Sequence, residues 1–296
     1  MAKIAWQKRV LTAAVGIPIA LSLLICDVGM LLLATTFCSL SLIEFTNTVC
    51  PRIVSHKPKA ATEKMLHCLF VVTLGAVLCT GAWTGVKAVY DVFHLGAMLA
   101  ISAFHMASAQ RMDQTVLIEL LLDLFALQYI VCGFGHAILL RYSSSKYGLG
   151  LQILGLCCAW VCDSAALVAG TWMGETKLAP LVSPGKTLVG ALAGVVSTVL
   201  TVVGFFGLSN HIAAMQPITE LLPSSEVVPL SHQVLIGVVI SVLSIVGDLV
   251  ESFLKRVAGL KDSGTFFPGH GGCLDRMDSF LFVAPLLYFY SQFALS

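Results

Sequence analysis

Long apolar runs recur along almost the whole chain, and they restrict its folding more than any other feature. A helix needs roughly 20 predominantly apolar residues to cross the hydrocarbon core of a bilayer, and one run after another approaches that length. The hydrophobic content, 57% of 296 residues, also exceeds the share of about 45–50% found in soluble domains. The sequence therefore predicts an all-α, polytopic integral membrane protein in a lipid bilayer.

Nine windows are long enough to be transmembrane helices. They cover residues 10–26, 28–45, 65–83, 88–108, 115–140, 149–174, 187–209, 232–254 and 277–295. The first resembles a signal peptide, but no clear small-residue cleavage site follows it, so we expect a retained span. With a cytoplasmic N-terminus, fourteen of the 17 Lys and Arg residues fall on the cytoplasmic side and three on the other. This asymmetry follows the positive-inside tendency.

The densest group of polar residues lies at residues 252–278. In a chain with only 11% charged residues, this segment carries cations, carboxylates, a histidine and several glycines, among them Lys255, Arg256, Lys261, Asp262, His270, Gly271, Gly272, Asp275, Arg276 and Asp278. Glycines let backbone N–H groups approach an anion, and Lys and Arg supply positive charge. Carboxylates beside a polyphosphate normally act through a cation such as Mg²⁺. The segment predicts a site for a metal–nucleotide complex; the alternative is an ordinary basic cytoplasmic loop.

A second polar motif, residues 183–190, follows Asp163 along the chain. It is not a P-loop, because that motif would need a glycine at position 180, where the chain has Pro. A polar turn with Ser183 and Lys186 just before a helix can still bind phosphate through free N–H groups and the lysine charge. The predicted orientation puts this turn on the same membrane face as residues 252–278, so we expect the two segments to meet.

A third element is a polar stripe with helical spacing. Asp248, Glu251, Ser252 and Lys255 fall at i, i+3, i+4 and i+7, so their side chains share one helix face. Such a stripe needs a protein or ion partner, because charge facing lipid is costly; the alternative is a lysine that extends to the interface and pairs with an acid. The roles of four other carboxylates in apolar runs are left open: Glu44, Asp91, Glu119 and Asp123.

Together these motifs resemble the phosphatidate cytidylyltransferase (CDP-diacylglycerol synthase) family. The resemblance rests on matching spacings of Ser252, Leu254, Lys255-Arg256, Lys261-Asp262, Gly264, Pro268, His270-Gly271-Gly272 and Asp275-Arg276-x-Asp278, with Cys273 where the family usually has an aliphatic residue. The second motif is similar to the family's Ser-Pro-Lys-Lys-Thr-Trp-Glu-Gly run. Gly185, Leu188 and Val189 replace its Lys, Trp and Glu, and Ser183, Lys186 and Gly190 match.

The resemblance implies an enzyme of phospholipid biosynthesis that converts CTP and phosphatidate to CDP-diacylglycerol and pyrophosphate. The expected catalytic residues are Asp248, Lys255, Arg256, Lys261, His270, Asp275 and Arg276, where His270 either orients phosphate or holds the glycine loop. The expected substrate-binding residues are Ser183, Lys186, Ser252, Asp262, Gly271 and Gly272. A Mg²⁺-like cation is expected mainly on Asp248 and Asp275, with Asp163 and Asp278 as further candidates. Residues 1–140 would form N-terminal transmembrane helices, and residues 141–296 the C-terminal transmembrane catalytic region.

Three other functions compete with this interpretation. A CTP-dependent lipid kinase would release CDP instead of pyrophosphate, and a cytidylyltransferase could use another lipid phosphate. A transporter would carry its polar residues at the bilayer midplane on broken helices, whereas here they lie in loops on one predicted face. We expect CTP, phosphatidate and the bilayer as partners and no nucleic acid, while a homodimer is left open. Short loops favour a bacterial inner (cytoplasmic) membrane, with the active site on its cytoplasmic face.

Overall fold

The structure is a computed structural model and describes residues 16, 18–54, 60–109, 113–143, 146–215, 222–224, 226–267 and 271–295. Of the predicted span at 10–26, residues 10–15 and 17 lie outside the described residues, and residues 18–25 are helical. The chain groups into two compact units. The first unit comprises Met1–Tyr142 and Leu254–Met277, and the second unit comprises Ser143–Phe253 and Asp278–Ser296. The predicted division after residue 140 stays a prediction.

The first unit is built from helices with short connections. They are α1 (Asp27–Glu44), α2 (Cys50–Ile53), α3 (Ala61–Trp83), α4 (Lys87–Ser108), α5 (Gln114–Ala126) and α6 (Cys132–Tyr142). A π-helical turn, Phe45–Val49, joins α1 to α2, and a second one, Leu127–Val131, joins α5 to α6. Each of these two pairs therefore continues as one long helical segment.

Local sequence explains how these helices begin and pack. The Asp113 carboxylate accepts the N–H groups of Thr115 and Val116 at 2.9 and 3.3 Å, which caps the first turn of α5. Helices α4 and α6 approach closely, because a Cβ on Gly135 would come within 2.6 Å of the Tyr90 ring. On the outer face of α4, large apolar side chains are exposed, as expected where a helix faces lipid; they include Val92, Leu95 and Leu99.

The second unit combines long helices with one hairpin. Its elements are α7 (Gly148–Met173), β1 (Lys177–Ala179), β2 (Ser183–Thr187), α8 (Leu188–Met215), most of α9 (Leu230–Val257) and most of α10 (Leu274–Ala294). Strands β1 and β2 are antiparallel, with Lys177 opposite Thr187. Helices α7 and α8 pack so closely that a Cβ on Gly190 would come within 2.5 Å of the Ala166 carbonyl oxygen. Glycine in the first turn of α8 therefore permits this approach.

Seven helical segments in the described part of the chain are long and apolar enough to cross a membrane. They are Asp27–Ile53, Ala61–Trp83, Lys87–Ser108, Gln114–Tyr142, Gly148–Met173, Leu188–Ile212 and Leu230–Val257. The predicted all-α, polytopic fold is confirmed. The predicted span at 277–295 is helical, as α10, but is not among these seven. The count of nine spans and the cytoplasmic N-terminus stay predictions.

Candidate active site

An ion pair joins the second motif to the polar stripe within the second unit. The Nζ atom of Lys186 lies 2.6 Å from Oδ2 of Asp248, and the two side chains are 19% and 24% exposed. Lys186 lies in β2, directly before Thr187, whose Oγ1 accepts the Gly190 N–H at 3.1 Å. This bond caps the N-terminus of α8. The helix start expected after Ser183 and Lys186 is therefore present, and it holds the lysine against α9.

The polar stripe lies on α9, which is helical through all four of its positions. The Ser252 hydroxyl donates to Oδ1 of Asp248 at 3.1 Å, as an i, i+4 spacing allows. One lysine therefore contacts Oδ2 of Asp248 and one hydroxyl contacts Oδ1. Because the carboxylate remains partly exposed, it can still reach a ligand.

Two more of the predicted metal ligands lie near Ser279 in the same unit. The Ser279 hydroxyl lies 3.2 Å from Oδ2 of Asp163, and the Ser279 N–H donates to Oδ1 of Asp278 at 2.8 Å. Helix α9 comes close here, since a Cβ on Gly247 would lie 2.6 Å from the Asp278 carbonyl oxygen. The Asp278 side chain contacts the backbone of the next residue in its own helix, and Asp278 is buried.

We refer to Asp163, Lys186, Asp248 and Ser252 as the Asp248 cluster. Asp163 lies beside α9, because the Ser279 hydroxyl that contacts Oδ2 of Asp163 also lies 3.1 Å from the carbonyl oxygen of Ser244, one turn before Asp248. The cluster offers carboxylate and hydroxyl oxygens, which are the ligands Mg²⁺ prefers, together with one cation for a phosphate. A Mg²⁺ site on Asp248 with Asp163 therefore fits the residues that are present.

Asp275 is the centre of a second arrangement, which lies in the first unit. Its Oδ1 lies 2.7 Å from Nζ of Lys255, and the side chains are only 12% (Lys255) and 4% (Asp275) exposed. Its Oδ2 accepts the N–H and hydroxyl of Ser263 at 2.9 and 3.0 Å and the N–H of Gly272 at 2.7 Å. Both carboxylate oxygens are thus engaged by protein donors. Asp275 organises the described residues 258–267 and 271–273, which we call the Asp275 loop.

Gly271 occupies a backbone position in this loop that other residues rarely adopt. Its φ is +87°, and a Cβ there would come within 2.8 Å of Oδ2 of Asp275. The Phe267 N–H donates to the Gly271 carbonyl at 2.9 Å, which closes the loop. His270, predicted to be catalytic, lies outside the described residues.

Glu44 supports the Asp275 loop from α1, and sequence reasoning left its role open. Its Oε1 accepts the Cys273 N–H at 2.9 Å, and its Oε2 accepts the Leu274 N–H at 3.0 Å. These N–H groups precede and begin α10, where a helix leaves its first donors unpaired. A Cβ on Gly272 would lie 2.5 Å from Oε2 of Glu44. In the sequence, Glu44 is a lone carboxylate inside an apolar run, and such a pattern predicts a buried partner without identifying it.

The remaining predicted residues in the loop and at the helix ends beside it have exposed side chains; they are Arg256, Lys261, Asp262 and Arg276. Arg256 donates to the Leu260 carbonyl at 3.3 Å, beside the end of α9. Gly259, with a φ of +66°, follows that end, as is common after a helix. The exposed cations are accessible to a charged ligand arriving from water.

Burial raises the pKa of the Cys273 thiol from 9.0 to about 12, and nearby Glu44 adds to this effect. The thiol is therefore neutral at physiological pH. Since a thiolate is the nucleophilic and metal-binding form, Cys273 is suited to packing and not to chemistry. This agrees with the aliphatic residue expected at its position.

Comparison with known proteins gives the same answer as the motifs. The model of the cytidylyltransferase family matches residues 7–294. The chain is 41% identical to the phosphatidate cytidylyltransferase of Synechocystis over 143 residues, 48% of this chain and 43% of the relative. It is 40% identical to that of Bacillus subtilis over 161 residues, 54% of each chain. It is 32% identical to that of Haemophilus influenzae over 203 residues, 68% of this chain and 66% of the relative.

The matched segments cover 43%, 54% and 66% of these three relatives. The family match, in contrast, runs from residue 7 to residue 294 and so includes the Asp248 cluster and the Asp275 loop. The chain belongs to the cytidylyltransferase family.

Proposed function

We propose that this protein converts CTP and phosphatidate to CDP-diacylglycerol and pyrophosphate. The main support is the contact of Lys186 with Asp248, which joins the lysine predicted to bind phosphate to the carboxylate predicted to bind a metal, in a chain of the cytidylyltransferase family. The relatives from Synechocystis, Bacillus subtilis and Haemophilus influenzae are named phosphatidate cytidylyltransferases. The long apolar helices suit a lipid substrate.

The chemistry is an in-line substitution at phosphorus. An oxygen of the phosphatidate phosphate attacks the α-phosphorus of CTP and forms a new P–O bond. The bond from the α-phosphorus to the bridging oxygen of the β-phosphate breaks, and pyrophosphate leaves with that oxygen. A phosphate monoester is already nucleophilic, so a strong general base is unnecessary. Negative charge accumulates on the phosphoryl oxygens, and catalysis is therefore mainly positioning and electrostatic stabilisation.

The Asp248 cluster supplies groups for positioning the phosphates and for stabilising their negative charge. Lys186, partly exposed, can exchange its contact with Asp248 for a substrate phosphate. Ser252 holds Oδ1 of Asp248 in place, and its single hydroxyl hydrogen can be given to a phosphate instead when substrate binds. Asp248 and Asp163 would hold Mg²⁺, which when bound would neutralise part of the phosphate charge.

The Asp275 loop and the neighbouring first turn of α10 supply glycines and exposed cations. Gly271 and Gly272 allow close approach of the backbone to an anion, and Lys261 and Arg276 are exposed cations. We assign these cations to the triphosphate of CTP. Asp275 orients Lys255 and fixes the loop.

The direct test is an assay of the purified protein with CTP, Mg²⁺ and a panel of lipid phosphates. The proposal requires phosphatidate-dependent release of pyrophosphate and formation of a CDP-lipid. Release of CDP would identify a lipid kinase instead. Turnover with another lipid phosphate and none with phosphatidate would reassign the lipid substrate. Asp91→Asn, in an exposed i, i+4 pair with Lys87, is the matched carboxylate control for Asp248→Asn.

The location and assembly of the protein are part of the same proposal. We propose a bacterial inner membrane, CTP entry from the cytoplasmic face and a homodimer. In a variant without native cysteines, Cys in place of Lys177 should react with an impermeant thiol reagent from the cytoplasmic side alone. The mass of the detergent-solubilised protein tests the dimer. Reaction from the opposite side, or a monomeric mass, would reject the corresponding statement.

A further inference from the structure

Three side chains able to bind a metal converge inside the first unit. They are His67 of α3, His105 of α4 and Asp123 of α5. The Nε2 atoms of His67 and His105 lie 2.6 and 2.7 Å from the same oxygen, Oδ2 of Asp123. The three ligand atoms all lie within 4.8 Å of one another. Because each residue comes from a separate helix, no local motif in the sequence marks this group.

The convergence on one oxygen is the informative feature. A carboxylate that is only hydrogen-bonded by two histidines can receive one on each oxygen, with N···O distances near about 2.9 Å. Here both nitrogens aim at one oxygen, and the distances lie at the short end of the hydrogen-bond range or below it. Asp123 and His105 are also almost fully buried, at 1% and 4% exposure. A carboxylate buried in a membrane-spanning segment needs a cationic partner.

We propose that His67, His105 and Asp123 bind a divalent ion of the Zn²⁺ type. Two imidazoles and one carboxylate are a set that suits Zn²⁺, with a fourth position left for water. In the described part of the chain, the Asp123 carboxylate is bonded by these two histidines and by no Lys or Arg. His67 is the most exposed of the three, at 17%, and gives the ion access.

The geometry needs only a small adjustment to accept the ion. Zn²⁺ lies about 2.0–2.2 Å from nitrogen and oxygen ligands, so tetrahedral ligand atoms are about 3.3 Å apart. The two N···O distances, 2.6 and 2.7 Å, would lengthen by about 0.6–0.7 Å to reach this spacing, and the two Nε2 atoms already lie within 4.8 Å of each other. Phe104 stacks on His67 at a ring-centroid distance of 5.8 Å and on Phe70 at 4.5 Å. These rings support the His67 imidazole and limit its motion.

An ion at this site would tie α3, α4 and α5 together. Its ligand set differs from that of the Asp248 cluster, which has carboxylate oxygens without imidazole and suits a harder cation. The inference therefore does not depend on the proposed reaction. Zn²⁺ should raise the thermal stability of the protein whether or not CTP is a substrate.

The test uses the full-length protein in detergent, stripped with a chelator and then titrated with Zn²⁺ alone. We expect one equivalent to bind tightly, with a rise in the unfolding temperature. His105→Gln and Asp123→Asn should weaken binding by at least about 100-fold, since even changes to groups behind metal ligands cost up to this much. His94→Gln, on the same helix as His105 but outside the cluster, is the matched control.

Further variants separate the loss of Zn²⁺ binding from a failure to fold. If the two buried substitutions prevent folding, His67→Gln replaces a partly exposed ligand and should still abolish the Zn²⁺-induced stabilisation. Asp248→Asn should retain the ion. A wild-type protein that binds no Zn²⁺ above the level of the triple variant His67→Gln, His105→Gln and Asp123→Asn would overturn the inference. Loss of the ion in Asp248→Asn but not in His105→Gln would also overturn it.

Discussion

The two Lys–Asp pairs of the candidate active site have nearly the same length but different surroundings. Lys186–Asp248 in the second unit is 2.6 Å long, and Lys255–Asp275 in the first unit is 2.7 Å long. The Asp248 side chain is 24% exposed and bonds one further side chain, Ser252. The Asp275 side chain is 4% exposed and also accepts three bonds from Ser263 and Gly272.

This difference in exposure and bonding suggests separate tasks for Asp248 and Asp275, although the sequence predicted the same metal-binding role for both. A partly exposed carboxylate with few protein donors can exchange a partner for a metal or substrate at little cost. A buried carboxylate with four donors cannot release them without leaving several groups unpaired, and such groups are expensive to bury. We therefore expect Asp248 to act on ligands and Asp275 to act mainly through the shape of its loop.

The largest effect is expected for Asp248→Asn. Loss of the negative charge should lower kcat by about 10³-fold, because a single electrostatic group in a transition state contributes about 10²–10³-fold and a bound cation adds to it. The unfolding temperature should change little. Turnover measured across a Mg²⁺ titration checks this, with Asp91→Asn as control. Near-normal turnover at every Mg²⁺ concentration would remove Asp248 from the catalytic residues.

Asp275→Asn should combine a loss of activity with a loss of stability. Removing one partner of a buried ion pair costs about 3–5 kcal/mol, and Lys255 would be left without the carboxylate. We expect a clear fall in unfolding temperature and about 10²-fold lower activity. Thermal unfolding of both variants in the same detergent decides between the two tasks. Equal unfolding temperatures for Asp248→Asn and Asp275→Asn would refute the distinction drawn here.

Glu44→Gln should have a smaller effect of the same kind. The glutamine amide can accept one of the N–H groups of Cys273 and Leu274 but faces the other with a donor, and an unsatisfied buried group costs about 1–3 kcal/mol. Activity should fall by about tenfold through a less ordered Asp275 loop. Glu63→Gln, an exposed glutamate in the first turn of α3, is the control. Unchanged kinetics and unfolding temperature would show that the loop does not need Glu44.

The sequence predicted much of this architecture because the relevant signals are local. Apolar length predicted the helices, and the i, i+4 spacing of Asp248 and Ser252 predicted that their side chains share one helix face. The meeting of Lys186 with Asp248 was anticipated only in part, through the predicted shared face of their motifs. Glu44 could not be assigned, since 219 residues separate it from Ser263. The grouping of His67, His105 and Asp123 depends likewise on how three helices pack.

Two glycines, one in the Asp275 loop and one in β2, differ in how strongly their surroundings require glycine. Gly271 has positive φ and lies against Asp275, whereas a Cβ on Gly185 in β2 would meet nothing within 4 Å. Gly271→Ala should cost about 1–2 kcal/mol in the loop and raise the KM for CTP several-fold. Gly185→Ala should leave the kinetics unchanged. Steady-state kinetics with CTP varied would test both, and equal behaviour of the two variants would contradict the role assigned to Gly271.

The smallest effect concerns Cys273, which should be chemically silent in the folded protein. Because burial raises the pKa of this thiol to about 12, it stays protonated at pH 8, and the thiolate is the reactive form. The folded-state pKa exceeds the unfolded value of 9.0, so ionisation of this thiol does not change the free energy of unfolding below pH 9. The free energy of unfolding falls as the pH rises from 9 toward 12, because only the unfolded state then releases the proton. Alkylation followed by mass spectrometry should modify exposed Cys26 and spare Cys273 until the protein is denatured. Equal labelling of both at pH 8 would mean that the Asp275 loop opens readily in solution, and the organising role of Asp275 and Glu44 would then be untenable.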